Sequence, residues 1–323
     1  MIATLDATRQ RLDAFGRRVP TAPVALAVVL YSTGPVLAQA TSVSGPVFSF
    51  WRLWFGVLVL AAAMAVHGRV TGRWPPLRAW RWSLGAGAAF GIHQLLMFSA
   101  IKATTVADVT LVGTLSPVVT ALIALPFFRE RPGLPFRLWS VVAMAGAAVV
   151  VAGASTSPDG DPVGMGLALA NVVAFAGFFL LSKGSRDKLD VFPFLAGVMT
   201  VAAVLVSVYV AVTPEAVGTV TSRDLVLCLV VALVPGALGH AVMTWPLRWV
   251  PANVPPVLRL GVPVLASLWA WWWLAEPITV WHLTGGLITI GGVAGAVLSP
   301  SGRRFAAGEP DPPPETASGR RSG

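Results

Sequence analysis

The chain has 323 residues, 55% of them hydrophobic and 11% charged, with a formal net charge of +9. A soluble domain carries about 25% charged residues, so this composition cannot clothe a water-exposed surface and indicates a membrane protein. The positive charge does not argue for nucleic-acid binding, because the basic residues fall in short clusters between apolar runs and form no stripe with interleaved aromatics.

Residues 1–21 are polar and basic and lack the short apolar core and small-residue cleavage site of a signal peptide. Ten apolar runs then follow: 22–41, 46–66, 82–101, 104–126, 136–154, 163–182, 192–212, 224–246, 252–274 and 279–298. Each is close to the roughly 20 residues that span a bilayer. Helices are expected, because a lipid-exposed backbone must satisfy its own hydrogen bonds. The expected fold class is an all-α integral membrane protein of ten transmembrane helices. The tail, 299–323, is rich in proline, glycine and charge and is expected to be disordered and cytoplasmic.

Polar groups inside spans are costly and mark candidate functional positions. The first run carries Tyr31 and Pro35. In the second, Arg52 lies about two turns, or about 10 Å, from the run's start. It can snorkel to the interface as an anchor or touch substrate. The third run holds His93 and Gln94 past its middle, with Gly87 and Gly91 forming a small-residue packing face. Asp108, in the fourth, is the acid well inside a span and a candidate for proton coupling; it can equally pair with Lys102. Asn171 lies in the sixth run, and Cys228, Pro235 and His240 in the eighth. A lone cysteine excludes an intramolecular disulfide. Arg259 lies two turns into the ninth run, one turn before Pro263. An arginine there must face water, a carboxylate or backbone carbonyls, and its planar fork suits carboxylate recognition. Gly291 and Gly295 repeat the small-residue spacing in the tenth run.

Sliding the chain by 146 positions lays residues 97–130, MFSAIKATTVADVTLVGTLSPVVTALIALPFFRE, on 243–276, MTWPLRWVPANVPPVLRLGVPVLASLWAWWWLAE. Met97 falls on Met243, Lys102 on Arg248, Pro117 on Pro263, Glu130 on Glu276 and Gly146 on Gly292. The order of features carries the match: a helix end, a cation, an apolar run with a proline, a boundary glutamate, then a glycine-bearing helix. The repeats are expected at 22–154 and 163–298. Five spans per half is an odd number, so the second half enters the membrane upside down, with a site near the midplane. With the N-terminus inside, 19 of the 23 lysines and arginines lie on the cytoplasmic side, against Lys102 and Arg223 outside. That bias sets the orientation, with both termini cytoplasmic and the chain multi-pass in the plasma (inner) membrane.

These features together resemble the EamA group of the drug/metabolite transporter superfamily. The resemblance rests on SAIKATTVADVTLVGTLSPVVTALIALPFFRE, on PLRWVPANVPPVLRLGVPVLASLWAWWWLAE and on the arginine of FWRLWF. It implies a ten-helix bundle that moves small metabolites, often amino acids and often outward. The run Trp269, Trp271, Trp272 and Trp273 departs from the smaller aliphatics usual there.

The expected cavity is lined by Tyr31, His93, Gln94, Asn171, His240 and Arg259, and takes an anionic or zwitterionic small molecule. The competing account makes the neutral groups interhelical hydrogen bonds and sends Arg259 to the interface. His93 and His240 lack third and fourth ligands at metal-binding spacing, so neither metal nor cofactor is expected. Glu130 and Glu276 read as helix caps, the latter directly before Pro277. The tryptophans read as an interfacial belt. A secondary carrier is expected. An integral-membrane enzyme acting on lipid-linked substrates is the alternative, but the chain lacks clustered acids or histidines. A channel would need pore-lining rings. The expected partners are a small-molecule substrate and membrane lipids, without nucleic acid, and the chain is a monomer or homodimer.

Overall fold

The structure is a computed structural model and describes residues 19, 21–72, 74–103, 109, 112–128, 133–154, 162–185, 188–215, 217–251, 254–274 and 278–298. The described residues form helices and their connections, with no strand among them. The first-half helices are α1 (Thr21–Gln39), α2 (Gly45–Thr71), α3 (Arg81–Ala103), α4 (Ser116–Phe128) and α5 (Leu134–Ala154). The second half holds α6 (Pro162–Ser185), α7 (Val191–Val212), α8 (Ser222–Val231), α9 (Gly239–Thr244), α10 (Val254–Leu258), α11 (Gly261–Leu274) and α12 (Val280–Leu298). A π-helical turn, Ala232–Leu238, joins α8 to α9, and 3₁₀ turns at Leu77–Trp80 and Trp245–Arg248 complete the helical parts.

Eight stretches among the described residues are long and apolar enough to cross a membrane: Thr21–Gln39, Gly45–Val70, Arg78–Ala103, Pro162–Ser185, Val191–Val212, Ser222–Leu247, Val254–Trp273 and Val280–Leu298. The expected spans at 104–126 and 136–154 are not among them. Helix α4 has 13 residues, and residues 104–108, 110 and 111 ahead of it lie outside the described set. Helix α5 contributes the shorter apolar stretch Leu134–Val149. The chain is a multi-pass, all-helical membrane protein.

Local sequence explains the helix ends. Ser44 caps α2, its side chain accepting from the Val47 N–H, and Pro46 sits in the first turn, where a missing donor costs nothing. Gly72 ends that helix in the left-handed region at φ 66°, donating to the Gly68 carbonyl. Thr221 caps α8 in the same way as Ser44, accepting from the Asp224 N–H.

The two halves pack with exchange symmetry. Gly45 and Val191 begin α2 and α7, and Leu134 and Val280 begin α5 and α12, both pairs 146 residues apart. Helix α3 lies on α6, and its mate, the α8–α9 stretch, lies on α1, the mate of α6. Helix α11 against α1 answers α4 against α6, while α2–α7 and α5–α12 pair each helix with its own mate. Each of these contacts has a counterpart in the other half.

Apolar side chains lie as comfortably in lipid as in protein, so close packing rather than water exclusion holds such a bundle. Gly87 and Gly91 admit α7: a Cβ at Gly87 would stand 2.6 Å from Val201 and one at Gly91 3.1 Å from Ala202. On α12 the packing face is Gly292 and Gly295, against Ala143 and Trp139 of α5; Gly291, expected to share it, has nothing within 4 Å. The rotation of α12 about its axis sets this, and four-residue spacing alone does not. Fully buried Phe90, Phe178, Phe179, Phe194, Leu195 and Met199 form the central core. Met243, Leu247, Val250 and Val254, all at 0% exposure, fill the bundle from α9 to α10.

Candidate functional site

Two helix interruptions build the site. Residues Thr114 and Leu115 turn just before α4 and Pro117, and Arg259 and Leu260 turn between α10 and α11, just before Pro263. The two breaks occupy corresponding places in the repeats to within one residue. Their cause is chemical. Pro263 has no N–H for the Arg259 carbonyl, so that carbonyl accepts instead from Val262 at 2.8 Å, a tighter i→i+3 bond. Leu260 likewise donates to Val257 at 3.1 Å and Leu115 to Val112 at 3.0 Å. Non-helical backbone at membrane depth is tolerated where it lines a cavity. Gly113, Thr114, Ser116, Arg259, Leu260 and Pro263 all line one here.

That cavity holds about 1130 Å³ of space between protein atoms, counting the part open to solvent. Pro35 and Pro235 also border it. All six side chains expected from sequence, Tyr31, His93, Gln94, Asn171, His240 and Arg259, line it together. They come from α1, α3, α6, α9 and the α10–α11 break.

The neutral groups are paired across helices. The Tyr31 hydroxyl is hydrogen-bonded to His240 Nδ1 at 2.7 Å. His93 Nδ1 donates to Asn171 Oδ1 at 2.5 Å, and Asn171 Nδ2 donates to Met97 Sδ at 3.4 Å. In a neutral imidazole this leaves His93 Nε2 as an acceptor. The ring of His93 lies 4.3 Å from Phe175, and His240 meets Phe90 edge-on at 4.7 Å.

The cations are held differently. Arg259 sets its guanidinium 3.9 Å from the Phe175 ring centroid and 5.4 Å from that of Tyr31. Its buried Nε has no hydrogen-bond partner. Arg52 turns inward as well, against the anchoring reading: it is 6% exposed, lines the cavity and donates through Nη1 to Gln94 Oε1. Its Nε is also buried without a partner, as is the Ser116 hydroxyl, which borders the same cavity. Tyr31 lies within Coulombic range of both arginines.

Other expectations resolve as follows. Asp108, Glu130 and Glu276 lie outside the described residues. Lys102 donates to the Thr41 carbonyl at 3.4 Å. Trp269 donates to Ser32 Oγ at 2.8 Å, while Trp271, Trp272 and Trp273 are exposed; none of the four lines the cavity. The described residues contain no group of three or more His, Cys, Asp or Glu able to hold a metal ion. Ser116, Thr114 and Phe175 were not anticipated. The paired interruptions ahead of Pro117 and Pro263 are the signal that would have found the first two.

Comparison with known families matches the EamA-like transporter family over residues 23–152 and again over 162–298. The chain belongs to the EamA-like transporter family. Two matches in tandem give the two repeats of this family. Among curated EamA-like relatives, the uncharacterized transporter YwfM of Bacillus subtilis (strain 168) is 25% identical over 77% of this chain and 83% of its own length. The uncharacterized transporter YdfC of the same organism is 21% identical over 63% of this chain and 66% of its own. A crystal structure 20% identical in sequence superposes with a TM-score of 0.74 over 88% of this chain and 98% of that one, which shows a shared fold.

Proposed function

We propose that this EamA-like membrane protein is a secondary carrier that moves small amphipathic metabolites outward by alternating access. The observation that supports this most is the pair of broken helices at related points of the two repeats, both bordering one cavity. Such breaks in both halves are where membrane carriers place their cargo. The repeats run through the bilayer in opposite senses, as ten spans, with a pseudo-two-fold axis in the membrane plane. Exchange of contacts between the halves supports that arrangement, and so does the distribution of basic residues. In this scheme the halves rock about the cavity, exposing it to one side and then the other. Both termini face the cytoplasm of a cell whose plasma membrane houses the protein. Asp108 takes up a proton and couples export to a gradient.

Purified protein in liposomes, given a panel of amino acids and organic acids with and without a pH gradient, tests the carrier. Saturable flux supports it, and conversion of a lipid-linked compound in place of flux refutes it. Flux that ignores the gradient removes coupling through Asp108. Single cysteines at Glu130 and Glu276, in a Cys228→Ala background, test the inversion. Labelling from opposite sides is expected, and labelling from one side overturns it.

A further inference from the structure

Resting on the carrier reading, we infer that the cargo is a small organic dianion, a dicarboxylate with an apolar spacer, and not a zwitterionic amino acid. Three residues that line the cavity each carry a buried polar atom with no hydrogen-bond partner: Arg52 Nε, Arg259 Nε and Ser116 Oγ. All three can donate. Buried donors are almost always paired, and a buried charge needs a counter-charge. The described carboxylates, Asp190, Glu215 and Asp224, are not in the cavity lining. Two guanidinium charges in one cavity, with no acid among its described residues, call for two negative charges, and the molecule that enters supplies them.

The geometry favours carboxylates. Phe175 covers one face of the Arg259 guanidinium at 3.9 Å, so the ring holds the group by its face and leaves in-plane donors, Nε among them, for a bidentate partner. Arg52 spends Nη1 on Gln94 and keeps Nε. The lining also includes apolar side chains, Met97, Phe98, Ile101 and Val172 among them, which suit a methylene spacer. An α-ammonium group would meet two like charges and no described carboxylate.

The test is a minimal pair in liposomes: pentanedioate against its 2-amino derivative, glutamate, with pentanoate as the single-charge control. The full chain is used. Pentanedioate is expected to be taken up with saturation and preferred over both by roughly tenfold or more, the equivalent of one charge-assisted hydrogen bond. Arg52→Gln and Arg259→Gln should each lower its uptake by at least about tenfold, while Arg259→Lys, which keeps the charge without the fork, should fall between. Thermal unfolding of each variant separates a lost contact from a lost fold. Pentanedioate should also raise the melting temperature of the wild type and not of Arg259→Gln. Glutamate carried as well as pentanedioate, or better, overturns the inference and leaves the carrier standing. Stabilisation by pentanedioate without flux supports the inference and counts against the carrier. If pentanedioate gives neither flux nor stabilisation, the inference is overturned.

Discussion

Replacing Gly146 or Gly292 by alanine should force α5 and α12 apart. A Cβ at Gly292 would stand 2.4 Å from the Ala143 nitrogen and 2.6 Å from its Cα. One at Gly146 would stand 2.4 Å from the Thr289 nitrogen and 2.8 Å from the Gly285 carbonyl oxygen. Ordinary contact begins at 3.4 Å, so each substitution demands about 1.0 Å (3.4 minus 2.4) of separation. The opposing atoms are backbone and have no rotamer to escape into. Overpacking costs about 1–3 kcal/mol where side chains can adjust, which places these variants near about 3 kcal/mol. At about 2–4 °C per kcal/mol for domains of this size, the melting temperature should fall by roughly 6–12 °C in lipid nanodiscs. The assay is built in: Cys228 is the only cysteine and is buried, so reaction with a fluorogenic maleimide follows unfolding. Gly291→Ala is the control, because that position has nothing within 4 Å. Gly146 and Gly292 variants that melt with the wild type, or a Gly291→Ala variant that falls as far as they do, would refute a backbone clash between α5 and α12.

Tyr31→Phe removes the partner of His240 Nδ1; at about 0.6 kcal/mol for an interhelical hydrogen bond in a membrane, the melting temperature should drop by only about 1–2 °C. Asn171→Leu strands His93 Nδ1, and an unsatisfied buried group costs about 1–3 kcal/mol, so the same thiol assay should register a larger fall than for Tyr31→Phe. Asp224→Ala deletes an acceptor of three hydrogen bonds, from the Ser42 nitrogen at 3.0 Å, the Ser42 hydroxyl at 2.7 Å and the Thr221 hydroxyl at 2.7 Å. Bonds to a charged group contribute about 1.5–3 kcal/mol, so a loss of several degrees is expected. Gly113→Val adds a side chain where nothing lies within 4 Å, on the cavity wall. Melting should stay near wild type while saturable uptake is lost.

The repeat was legible because its landmarks are rigid in chemistry: Pro117 and Pro263 each remove a backbone donor at the same place in the two halves, and Gly146 and Gly292 each face a close neighbour. Arg259 was legible because a charge at that depth needs a reason. Arg52 was not, since about 10 Å from a helix end a long side chain can reach either way, and only the Gln94 carbonyl oxygen across the bundle decides. The choice between Gly291 and Gly292 depends on how α12 is rotated against Trp139, which no periodicity within one helix contains. The tryptophan run divides for the same reason: Trp269 turns toward Ser32 and its neighbours face outward. The π turn at Ala232–Leu238 left no trace beyond Pro235, whose missing N–H widens the ring locally.

That wide turn separates two arms held by different means. Before it, Asp224 ties the start of α8 to the connection after α1 through Ser42. After it, His240 of α9 is held by its bond to Tyr31 and by the rings of Phe90 and Phe178. A change of pitch at Pro235 would therefore be felt on one side as a pull on hydrogen bonds and on the other as a shift of packed rings beside the cavity.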